Sequence, residues 1–135
     1  MKRVSPLVFL LLSMNCFAQD PLSLSMDEYY KVEKNQQMYQ QMVDSGRLAE
    51  AKRMYKPRCL KGAKTDAAKA QCECASEIIQ EVDGKAFVYD SVMSYQSYMA
   101  KVAATEEGND AEVARLREVD ANRDGLTKQI EAVCP

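Results

Sequence analysis

"LREVDANRDGLTKQIEAV", Leu116 to Val133, decides how the chain ends. Leu116, Val119, Arg123, Leu126, Ile130 and Val133 follow one another at steps of three and four, which places them on one helical stripe. Arg123 is the only polar member. Gly125 inside a helix costs about 1 kcal/mol relative to alanine, less than the roughly 1.5–3 kcal/mol gained by burying each aliphatic side chain. The periodicity predicts one unbroken final helix, capped near Asp110 and running toward Cys134.

The same residues carry a second pattern. Asp120, Asn122, Asp124, Gly125 and Glu131 satisfy D-x-[DN]-x-[DN]-G-x5-E, and over residues 120–131 the stretch resembles an EF-hand calcium loop, which implies oxygen ligation of a hard cation with Glu131 bidentate. The resemblance stops at the eighth and ninth loop positions. Thr127 stands where an apolar residue pairs with a sister loop, Lys128 stands where an oxygen is wanted, and only Ala132 to Pro135 remain for an exit helix. The stripe therefore favours a continuous helix, and calcium binding is the alternative reading.

Upstream, the patterns are also helical. Ser25 with Glu28 three places on forms a capping-box pattern, and Tyr29, Val32, Tyr39 and Val43 keep helical spacing to the turn "DSG" at 44–46. Leu48, Ala51 and Tyr55 mark the next helix, which Pro57 should stop. "MYQQMVDSGRLAEAKRMY" resembles the second half of a tetratricopeptide repeat. No second copy follows, and one unit cannot build a solenoid. "KPRCLKGAKT" reads as a linker, and Thr65 or Asp66 can cap a helix whose stripe is Ala68, Cys72, Ala75, Ile79 and Val82, ended by Asp83 and Gly84. Another follows over about residues 85–104 with the stripe Val88, Val92, Tyr95, Met99 and Val102, broken by "TEEGND". No segment alternates as a strand does. The expected fold is all-α, a small disulfide-stapled helical bundle of four or five helices.

Lys2 and Arg3, the apolar run Leu7 to Leu12 and the small Ala18 have the layout of a cleaved export signal over residues 1–18, leaving 19–135 as a single helical domain. Acylation at Cys16 would want small residues before it, where Met14 and Asn15 stand. Losing Lys2 and Arg3 takes the formal charge from −2 to about −4, which argues against a nucleic-acid partner. No stretch approaches the roughly 20 apolar residues of a membrane span. Cys59, Cys72, Cys74 and Cys134 remain, an even number that reads as two disulfides in an exported chain. On a helix Cys72 and Cys74 point about 200 degrees apart, so each needs a different partner, Cys59 or Cys134. Zinc would want other spacing and histidines, and the chain has none.

The missing histidine also removes the side chain best suited to proton transfer near neutral pH. Glu73, Glu77 and Glu81 are carboxylates at helical spacing, better read as a solvated face than as a catalytic set. Methionines, Met38 and Met42 among them, read as core filler rather than copper ligands. Lys52, Arg53, Lys56, Arg58, Lys61 and Lys64 form a basic run with no acid among them, a docking surface for an acidic protein if it is more than a solvated linker. These readings imply no cofactor and no metal. The expected function is that of a non-enzymatic protein-interaction module of the bacterial periplasm or exterior, such as an inhibitor, an immunity protein or an accessory subunit.

Overall fold

Two adjacent tyrosines fix the first turn of the fold. In the computed structural model, which describes residues 19–135, α1 (Met26–Lys31) opens on the capping box of Ser25 and Glu28. It buries both Tyr29 and Tyr30. Two neighbours on a helix face directions about 100 degrees apart, so the chain must turn before it continues. It does so at Val32, whose backbone is extended. The side-chain amides of Asn35 and Gln36 donate to the carbonyls of Tyr29 and Tyr30, satisfying groups that a helix end leaves open. The single helix expected from Ser25 to Val43 is thus two, with α2 (Glu33–Asp44) the second, and Val32 and Val43 are exposed rather than on the buried stripe.

The turn after α2 uses Gly46 at φ 74°, a left-handed conformation that favours glycine. Next, α3 (Arg47–Gly62) runs straight through Pro57, where the sequence suggested a stop and a linker. Proline here removes one backbone hydrogen bond at about 3 kcal/mol or more. Packing against α4 (Asp66–Glu81) and a cystine between Cys59 and Cys72 hold the last turns in place. The capping of α4 by Thr65 agrees with the sequence, its hydroxyl accepting from the Ala68 amide at 3.1 Å. Cys72, Ala75 and Ile79 lie buried along α4 as its stripe predicts.

The spine is α5 (Gly84–Glu106), capped by Asp83. Around its first half gather two core clusters, one of Tyr29, Tyr30, Tyr89 and Met93, the other of Ile79, Phe87, Val88 and Leu126. Along its second half only α6 (Asp110–Asn122) packs extensively. The buried line there runs through Met93, Ser97 and Ala104, not through Tyr95 and Met99. Asn109 rather than Asp110 caps α6, accepting from the Glu112 amide.

The continuous final helix does not form. α6 ends at Asn122, Arg123 to Gly125 are non-helical, and α7 (Leu126–Val133) leaves in a new direction. Leu116 and Leu126 are buried on either side of the break, but Val133 at the end of the predicted stripe is 71% exposed. Two contacts explain the break. Cys134 must reach Cys74 on α4 to form the second cystine. Asp90 of α5 supplies the cap that Gly125 cannot, its carboxylate accepting from the Thr127 hydroxyl at 2.9 Å and facing the Thr127 amide at 3.5 Å. A side chain on residue 125 would crowd the Asp90 carboxylate and disturb this cap. Among the described residues every element is helical, seven α-helices and one 3-10 turn at Pro21–Ser23, more than the four or five expected. None of these helices is long and apolar enough to cross a membrane.

The two cystines close separations of 13 and 60 residues, for which chain entropy predicts about 3 and about 4 kcal/mol of stabilisation. Urea titration of the paired serine variants should return losses in that order, with the Cys74→Ser/Cys134→Ser protein the less stable. Asp90→Ala should cost about 1 kcal/mol through the lost cap, and Gly125→Ala a similar amount. Combined, the two should cost less than their sum, because both act on one contact.

Candidate functional site

The six residues of the basic run are dispersed by the continuity of α3. With about 100 degrees between successive residues of a helix, the five on α3 wrap around it instead of forming one face, and Lys64 lies beyond its end. Lys52 is half-buried and donates to the Val82 carbonyl. Arg53 is bound to Glu50 at 2.7 Å, and Lys56 lies 3.6 Å from Glu73. Arg58, Lys61 and Lys64 are exposed and in no ion pair among the described residues. Glu73, Glu77 and Glu81 all lie on the exposed side of α4.

The residues of the calcium-like pattern are drawn to different tasks. Asp120 sits inside α6, its Oδ2 accepting from Lys101 Nζ at 2.6 Å and its Oδ1 3.0 Å from Arg123 Nη1. Asp124 is exposed and 3.6 Å from Lys128. Glu131 belongs to α7 and lines a cleft on another side of that helix. Among the described residues no three Asp, Glu, Cys or His side chains converge.

Asp120, Lys101 and Arg123 instead clamp the spine to α6. Arg123 has only 9% of its side chain exposed, and its Nη2 also donates to the Leu22 carbonyl at 3.3 Å. It therefore ties the α6 end, the α5–α6 seam and the N-terminal leader together. Burial pushes the Asp120 carboxyl up, but the Lys101 ammonium and neighbouring donors outweigh this and hold it below the ordinary carboxylate value. Asp20 is lowered as well, by the Leu22 amide and then by Arg115.

One cleft among the described residues, of about 790 Å³ and mostly apolar, has the room to hold another molecule. Its floor is Phe87, Val88 and Val92 of α5. Tyr55 of α3 and Leu126 and Ile130 of α7 form its walls, and Arg58 stands at its edge. The bend before α7 creates it, because α7 lies beside α5 instead of extending α6. The α5 floor continues past the cleft as Tyr95 (65% exposed), Tyr98 (60%) and Met99 (46%). At 3.6 residues per turn, Val88, Val92, Tyr95, Met99 and Val102 share one face. The sequence correctly singled out this stripe but assigned it to the core. Only its first half is covered, and the rest is an exposed apolar strip of the type enriched at protein interfaces.

Asp120→Asn should cost about 1–3 kcal/mol at neutral pH, since Lys101 and Arg123 would lose their counter-charge while partly buried. A carboxyl lowered by folding contributes its stability above the unfolded value, near 3.8, and loses it as pH falls through the folded one. Urea midpoints measured from pH 5 downward should therefore fall less steeply for Asp120→Asn than for the parent. In comparisons with known proteins, the chain matches no family model, no curated protein and no solved structure.

Proposed function

We propose that the protein is an exported, non-enzymatic interaction module of the periplasm or cell exterior that binds another protein through the α3–α5–α7 cleft and the strip that prolongs it. The observation that carries this reading is the exposed Tyr95–Tyr98–Met99 surface, contiguous with a preformed apolar cleft. Monomeric soluble proteins rarely leave large apolar side chains grouped in this way, and such groups mark interaction sites. Two cystines support an oxidising, extracytoplasmic setting. Arg58 at the cleft edge, with Lys61 and Lys64 beyond it, supplies a positive border suited to an acidic partner. Calcium binding through Asp120, Asn122, Asp124 and Glu131 is the lesser proposal, because Asp120 is already held by two cations.

Photo-crosslinking from position 98 in the oxidised protein tests the site. Adducts should form from position 98 and fail from position 77 on the solvated face of α4. Equal yields from both positions would refute the cleft and strip as the docking surface. Arg58→Glu/Lys61→Glu should raise the dissociation constant of an acidic partner by about tenfold at low salt, with the difference shrinking as salt screens it. Calorimetric titration with calcium should give no heat.

A further inference from the structure

The cleft and the strip lie on one helix, end to end, and that arrangement is self-complementary. The geometry points to a second copy of this chain as the occupant, its α5 packed antiparallel on the α5 of the first so that each copy seats its Tyr98 and Met99 in the other's cleft. This rests on the interaction reading above and names its partner. A two-fold axis near Tyr95 sets Met99 of one copy against Val92 of the other, and Val102 over the mouth of the cleft, at whose floor Val88 is only 2% exposed. Every contact then occurs twice, as an isologous interface requires.

The charges at the two ends of α5 fit the same register. Glu106 stands five helical turns beyond Val88 and so shares the face of the strip, while Lys85 lies at the opposite end beside it. At about 1.5 Å rise per residue they are roughly 32 Å apart in one chain, and antiparallel pairing brings Lys85 of each copy to Glu106 of the other. Neither residue is in an ion pair among the described residues, and both are exposed. Lys85 is held in place by the rings of Tyr30 and Tyr39, with its ammonium 5.5 and 5.9 Å from their centres. Glu106, at the negative end of its own helix dipole, is unfavourably placed in an isolated chain. A lysine from the second copy relieves that. Parallel pairing would set like charges together at each end. The contact is one helix wide apart from the cleft walls, so it belongs with small, reversible interfaces.

Sedimentation velocity of the oxidised protein tests this. Between about 10 μM and about 1 mM, a range suited to a weak association, the mass should rise from one chain toward two. Tyr98→Asp and Met99→Asp should each weaken the dimer at least tenfold while leaving the far-ultraviolet circular dichroism unchanged. Lys85→Glu and Glu106→Lys should each weaken it, and the double variant should recover most of the parent's association. That recovery would not occur if Lys85→Glu acted only through the Tyr30 and Tyr39 rings. A chain that stays monomeric throughout the range overturns the second copy as occupant. So does a dimer indifferent to Tyr98→Asp, or charge variants whose losses simply add. A monomeric protein that still crosslinks a different partner from position 98 would reject the self-pairing and leave the interaction function standing.

Discussion

The bond between Cys74 and Cys134 is the constraint on which the rest of the molecule turns. It fixes the last residues of the chain to the middle of α4. A helix continuing straight from Leu116 to Val133 would carry Cys134 along the α6 axis and away from its partner. The backbone therefore bends at Arg123 to Gly125, and the bend lays α7 against α5 and α4. Leu126 thereby enters the core with Ile79, Phe87 and Val88, and the wall of the cleft comes into being. Arg123 is half of the hinge, buried against Asp120 and the Leu22 carbonyl, and Asp90 is the other half.

Local signals in the sequence were legible where the determinant is a few residues long. The capping box at Ser25 and Glu28, the cap at Thr65, the glycine turn at Gly46 and the stripe of α4 all follow from neighbours in sequence. What was not legible depends on distant contacts. Val32 breaks a helix because two buried tyrosines and two side-chain amides make the break affordable, and hydrophobic spacing contains no trace of that. Pro57 stays inside α3 because α4 and a cystine hold the turns beyond it. The bend before α7 depends on Asp90, more than thirty residues upstream of Gly125. Its local hints, Asn122 and Gly125, were outweighed by the apolar spacing from Leu116 to Ile130.

The face of α5 offers the more instructive mismatch. Counting apolar residues selects Val88, Val92, Tyr95, Met99 and Val102, yet the face that α6 covers is built of Met93, Ser97, Lys101 and Ala104. Small residues let the two helices approach closely, and the Lys101–Asp120 pair replaces hydrophobic contact at the seam. A pattern search passes over such a face, because apart from Met93 its members are small or charged. Conversely, the apolar pattern was real, but beyond Val92 it lies on the surface, with Tyr95 and Met99 exposed. The same spacing serves a core and an interface because both exclude water from one side of a helix.

The origin of the α7 cap has a bearing on how the chain matures. A helix of eight residues capped by its own neighbour can flicker into existence early, but this one borrows its cap from Asp90 and cannot be completed until the spine is seated. Cys59 and Cys72 are 13 residues apart in the chain, whereas Cys134 is 60 residues from Cys74 and meets it where α7 packs directly on α4 as well as on α5. Oxidation of the final thiol pair is then a readout of completed architecture, and a molecule that has closed both bridges correctly has, in doing so, passed an inspection of its own tertiary order.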